Sequence, residues 1–175
     1  MDDVTVIGFG ATTDEGENSQ YLREADLQVL EDKECSFQYR EGKIHFPSMI
    51  CATHVEREGP CYRDSGGPLL VLGGETITEG NTTQQPDVQV GVVSFGGSRC
   101  ADPEQASVYA DVGHVQPWVE SEICRYSSAA PPNCETKDDG SYTTLDAPTS
   151  SDALSWRSAE RWLVLSQLLL IRVFL

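Results

Sequence analysis

Basic residues are scarce in this sequence: 12 Lys and Arg stand against 28 Asp and Glu, a formal net charge of -16. A surface of that sign repels phosphate backbones and anionic lipid, so nucleic acid is excluded as a partner. Histidine is scarcer still, with only His45, His54 and His114. No C-x-x-C pair occurs either, so no metal site of the zinc type and no cofactor is expected. The opening Met-Asp-Asp has neither the basic start nor the apolar core of an export signal. No internal repeat is present. The final apolar run, residues 162–175, is too short to cross a bilayer as a helix. Small residues at Ser150 and Ser151 precede it as in a lipid-anchor signal, but Arg172 within the run argues against that processing. Membrane attachment through the tail is not expected.

Cysteine, by contrast, is present in an even number: Cys35, Cys51, Cys61, Cys100, Cys124 and Cys134. Without metal spacing, six cysteines point to disulfides and an oxidising, extracellular compartment. Fifteen pairings remain open on sequence alone. A secreted-type body without an export signal implies that an upstream segment is missing. Asn81-Thr82-Thr83 is a glycosylation acceptor and gives weak support to export.

Short β-branched or alternating runs at 4–10, 21–31, 48–52, 68–72, 88–95 and 107–112 read as strands joined by glycine-containing turns. A short helix starting at Asp32 is predicted over 32–40. Val115, Trp118, Val119 and Ile123 fall on one face of a second helix, with Pro117 near its first turn. Such a pattern indicates an all-β barrel or sandwich closed by one terminal helix. The polar stretch 73–87 reads as a loop. Beyond residue 124 the chain turns rich in Ser, Pro, Thr and Asp, so 125–161 is expected to be a disordered extension before the apolar tail 162–175.

The segment Cys61-Tyr62-Arg63-Asp64-Ser65-Gly66-Gly67-Pro68 carries the chemistry. A serine hydroxyl becomes a nucleophile only with a base to take its proton and donors to hold the oxyanion formed on a carbonyl. Glycines after Ser65 leave room for a substrate backbone. Taken alone, Asp-Ser-Gly-Gly also suits a plain loop. In context, Asp64 to Pro68 following Cys61 resembles the nucleophile motif of chymotrypsin-like (trypsin family) serine proteases. The resemblance runs in register through Val6 to Gly10, Leu22 to Ala25, Cys35, Met49 to Ala52, Gly91 to Gly96, Ser107 to Val112 and Trp118-Val119. Phe9 and Phe95 stand where the family usually has Trp.

The resemblance implies the second six-stranded antiparallel Greek-key barrel of such a protease over residues 1–124, with a C-terminal helix. It implies disulfides Cys35–Cys51 and Cys61–Cys100, leaving Cys124–Cys134 as a local pair. Ser65 would be the nucleophile, and the N–H groups of Arg63 and Ser65 the oxyanion hole. Asp64 would pair with the amino terminus freed by activation. Ser94, Phe95 and Gly96 would bind the substrate as an added strand. Gly59, at the pocket floor, and Ser107, on its wall, imply an uncharged pocket for apolar or medium-sized side chains. Arg63 departs from the glycine usual at its position. Protein or peptide substrates, and protein protease inhibitors, are the implied partners.

None of the three histidines stands in the context of the family's catalytic base, and the orienting aspartate has no counterpart here. The reading favoured by the motifs is a serine endopeptidase of which this chain is a piece, inactive by itself. The alternatives are a non-catalytic protease-like binding module and a cysteine-stapled structural domain.

Overall fold

A computed structural model describes residues 3–78, 81–128, 134–136 and 142–144 of the 175-residue chain. The chain divides into two compact units, Met1–Val112 and Gly113–Leu175. The boundary expected after residue 124 groups the terminal helix with the barrel instead.

The first unit is a closed antiparallel barrel. Its strands are β1 (Asp3–Gly8), β2 (Arg23–Val29), β3 (Met49–His54), β4 (Pro68–Val71), β7 (Val88–Phe95) and β8 (Ser107–Asp111). They neighbour one another in the order β1-β2-β3-β8-β7-β4, and β4 closes the ring by pairing Leu69 with Val6 and Leu70 with Thr5. The alternation that predicts β2 is realised directly. Ala25, Leu27 and Val29 are buried, while Glu24 and Asp26 face outward. Val4, Val6, Leu69, Val90, Val93 and Tyr109 are buried on the other strands.

A helix, α1 (Asp32–Gln38), packs beside the barrel through Cys35. Glu31, not Asp32, is its N-cap; Asp32 and Glu34 occupy the first turn, where they complement the helix dipole. The cystine Cys35–Cys51 anchors this helix to β3, in a cluster with Leu30, Tyr39, Ala106 and Val108. Ile44, Phe46, Met49 and Phe95 pack against that cluster.

The stretch 73–87 is not a plain loop. Within it β5 (Glu75–Thr78) pairs with β6 (Asn81–Gln84) as a two-stranded hairpin, and Asn81 opens the second strand opposite Thr78. Threonine at positions 76, 78, 82 and 83 supplies the β-branched residues that a strand favours, without the hydrophobic alternation that would mark it.

In the second unit, the helix α2 (Val112–Tyr126), whose first residue still belongs to the barrel unit, carries Pro117. The predicted apolar face is largely exposed at Val115, Trp118 and Val119. Cys124, the buried residue near its end, is bonded to Cys134. The strands β9 (Cys134–Thr136) and β10 (Tyr142–Thr144) pair with each other, so part of the extension expected to be disordered has regular structure. The rest of that extension and the apolar tail 162–175 lie outside the described residues. No described helix is long and apolar enough to cross a membrane. Among the described residues no cluster of His, Cys, Asp and Glu could hold a metal ion.

Candidate active site

The loop from Cys61 to Gly67, between β3 and β4, is held from three directions. Cys61 is joined to Cys100 by a disulfide across a sequence separation of 39. Closing a loop of that size removes unfolded-state entropy equivalent to about 4 kcal/mol. On its other side the loop is stitched to β7: Gly66 N–H donates to the Val93 carbonyl at 2.9 Å, and Val93 N–H donates to the Gly67 carbonyl at 2.9 Å. This places Ser65 beside the strand end that carries Ser94. Finally, Ala11 N–H donates to the Tyr62 carbonyl at 2.9 Å, tying in the chain that follows β1.

Asp64 supplies the loop's internal brace. One carboxylate oxygen accepts from Gly10 N–H at 2.7 Å and the other from Cys61 N–H at 2.9 Å. The carboxylate fits because the residues flanking it have no side chains. A Cβ on Gly8 would lie 2.1 Å from Asp64 Oδ1, and one on Gly10 would lie 2.4 Å from the carboxylate atoms. In the sequence pattern Gly8 and Gly10 mark only a strand entering a bend. Their spacing of two, opposite an acid, is the signal that could have exposed this role.

Ser65 is exposed, and so is Arg63. Arg63 adopts φ of 73°, the left-handed region that normally favours glycine, and its guanidinium donates to Asn18 at 2.7 Å. The backbone N–H groups of Arg63 and Ser65 donate to no acceptor among the described residues. Both N–H groups belong to exposed residues of the loop. Gly66, at φ of 87°, turns the chain so that Gly67 can return to the barrel. A Cβ on Gly67 would stand 2.9 Å from the Asp64 carbonyl.

The residues expected to bind substrate are partly brought together. Ser94 is exposed at the end of β7, followed by half-buried Phe95 and Gly96. Ser107 is buried on the neighbouring strand, its hydroxyl 3.5 Å from where a Gly96 Cβ would stand. Gly59 lies against His54, whose ring nitrogen would be 2.4 Å from a Cβ at position 59. His54 Nδ1 is itself 2.8 Å from the Glu58 carbonyl. Local packing thus suffices to require glycine there.

Two tyrosines to which the sequence assigned no role belong to this region. Tyr109, fully buried behind Ser107, has a hydroxyl without a hydrogen-bond partner among the described residues. Burial pushes its titration well above the usual phenol range; Ser107 is near enough to oppose that shift, yet no bond of normal geometry joins the two hydroxyls. Tyr39 donates its O–H to the Ala106 carbonyl and meets Phe95 edge to face at 5.8 Å. Burial, with the negative charge of Asp102, raises Tyr39 to about 12.

A family model described as Trypsin matches residues 1–119. The chain belongs to the trypsin family. Trypsin alpha-4 of Lucilia cuprina is 40% identical over 118 residues, spanning 67% of this chain and 40% of that protein. Trypsin iota of Drosophila melanogaster is 36% identical, over 66% of this chain and 40% of that one. Among solved structures, mouse neuropsin, a serine protease expressed in the limbic system of mouse brain, superposes with a TM-score of 0.56. That match covers 70% of this chain and 48% of neuropsin at 24% identity, and so bears on the fold alone. The chain spans less than half the length of these trypsins and of neuropsin. This trypsin-family barrel carries two disulfides, Cys35–Cys51 and Cys61–Cys100, and the third, Cys124–Cys134, lies in the second unit.

Proposed function

We propose that this barrel supplies the nucleophile, oxyanion hole and specificity pocket of a secreted serine endopeptidase. The observation that carries the reading is exposed Ser65 on a loop fixed by Asp64 and by Cys61–Cys100, where the backbone N–H groups of Arg63 and Ser65 meet no acceptor among the described residues. In the reaction, Ser65 Oγ forms a bond to the scissile carbonyl carbon while a base takes its proton. The N–H groups of Arg63 and Ser65 donate to the resulting oxyanion. The carbon–nitrogen bond then breaks, the amine leaves with that proton, and water releases the acyl group by the reverse path. The base is a histidine outside this barrel.

Asp64 keeps the oxyanion donors in place. An ionised carboxylate has about four acceptor sites, so the two bonds it makes leave capacity for the amino terminus that activation releases. Ser94, Phe95 and Gly96 pair with the substrate backbone. Gly59 and Ser107 line an uncharged pocket that takes apolar or medium-sized side chains. Protein substrates and protein protease inhibitors are the partners, and Asn81 is a glycosylation site of the exported protein.

The test is labelling of a complete protease domain carrying this chain with a serine-reactive peptide phosphonate. Modification should map to Ser65 by mass spectrometry and vanish in Ser65→Ala. A complete, folded domain that takes no label at Ser65 would refute the endopeptidase reading and leave a binding module.

A further inference from the structure

Lys43 lies between α1 and β3, is exposed, and places its ammonium over the aromatic pair that supports the substrate strand. Nζ stands 5.0 Å from the centroid of Phe95 and 5.3 Å from that of Tyr39. Those separations are within the reach of a cation over an aromatic face. The rings are themselves locked, edge to face, and Tyr39 is tied to Ala106. Phe95 packs on the buried cluster around Cys35 and Cys51. The ammonium thus has a fixed floor rather than a free surface to roam. No carboxylate among the described residues forms an ion pair with it; the pair found there is Arg99–Asp102.

From these observations we infer that Lys43 is a specificity-determining residue that selects an acidic side chain on the substrate, a few residues before the scissile bond. This rests on the proposed reading that substrate pairs with Ser94, Phe95 and Gly96. A strand laid beside β7 would run one strand spacing away, about 4.8 Å. Nζ already stands at a similar distance from the Phe95 ring. A side chain passing over Phe95 therefore meets the exposed Lys43 ammonium. A carboxylate there gains a charge-assisted contact. A lysine or arginine meets like charge. In a chain of net charge -16, local cations such as Lys43 are where an acidic segment can approach.

The experiment measures peptide affinity in a complete protease domain carrying Ser65→Ala, so that binding is read without turnover. Matched peptides carry Glu, Gln or Lys in turn at each upstream position. At one position Glu should bind about threefold to fivefold tighter than Gln, the range of a solvent-exposed ion pair, with the difference shrinking as salt is raised. Lys43→Met should erase the Glu-over-Gln difference, Lys43→Glu should turn it toward the Lys peptide, and Lys43→Arg should keep it. Equal affinity for Glu and Gln at every position, or a Glu preference that survives Lys43→Met, overturns the inference. Phosphonate labelling of Ser65 in the otherwise identical active domain reports separately on the endopeptidase reading. Peptides that fail to bind at all overturn strand pairing, and the role of Lys43 with it.

Discussion

Replacing Gly10 with alanine is the sharpest perturbation of the loop that holds Ser65. The backbone at Gly10 is not in the left-handed region, so alanine meets no conformational objection there. The obstacle is a single contact, a Cβ placed 2.4 Å from Asp64 Cγ, Oδ1 and Oδ2. Ordinary contact begins near 3.4 Å, so one group must give way by about 1 Å. Moving the carboxylate stretches its bonds to Gly10 N–H at 2.7 Å and Cys61 N–H at 2.9 Å beyond useful range. Hydrogen bonds to a charged group contribute about 1.5–3 kcal/mol each. The loop then loses the brace between Arg63 and Ser65, and with it the aim of both donors proposed to form the oxyanion hole. Removing one such donor costs about 100- to 1000-fold in kcat.

Gly42→Ala is the matched control. Gly42 lies at φ of 77°, and a Cβ there would meet nothing within 4 Å, so alanine costs only backbone strain, about 1–2 kcal/mol. In a complete protease domain, Gly10→Ala should be labelled by a peptide phosphonate at least about 100-fold more slowly than wild type while still melting cooperatively. Gly42→Ala should be labelled at the wild-type rate with a lower midpoint. Wild-type labelling of a folded Gly10→Ala protein would show that Asp64 does not govern the nucleophile loop.

Two further outcomes concern the tyrosines. Tyr109→Phe removes a buried hydroxyl without a hydrogen-bond partner, so stability should be unchanged or should rise by up to about 1 kcal/mol in a denaturant titration; a marked loss would reveal a partner for that hydroxyl. Tyr39 is raised in the fold from 10.0 to about 12, first by burial and then by Asp102, so its neutral form is the one the fold favours. Its contribution should be intact below pH 10 and fall away as pH rises toward and past about 12. A Tyr39→Phe protein should lack that part of the alkaline loss, and an unchanged alkaline limb would count against burial as the cause.

The barrel was legible because its strands carry their burial in the residue pattern. Arg23–Val29 alternates inward and outward side chains, and the other barrel strands are short runs with β-branched or apolar residues between turns. The paired strands Glu75–Thr78 and Asn81–Gln84 were not, since threonine-rich segments without hydrophobic alternation in sequence look like any polar loop. Cysteine pairing was beyond composition, which left fifteen arrangements, and came only from the resemblance. At the site, Ser65 and the loop glycines could be found because they adjoin in sequence. The cradle of Asp64 joins residues 54 apart, and the cation over Phe95 comes from a turn of no recognisable motif. Contacts of that kind are set by tertiary closure and leave little trace in local pattern.

Arg63 brings these threads to one point. A side chain held at φ of 73° carries a strain of about 1–2 kcal/mol that glycine would not, and it faces solvent, where no burial offsets it. Its bond to Asn18 is exposed and offsets little of that. The conformation persists because its neighbours over-determine it: Cys61 is tied to Cys100, Asp64 is fixed between two N–H donors, and Gly66 and Gly67 are bonded to Val93. Strain retained by so many constraints, at a residue whose own N–H is left without an acceptor among the described residues, is the condition expected where a backbone donor is reserved for a ligand. The same constraints that make the loop costly to form are therefore those that would make it an oxyanion hole.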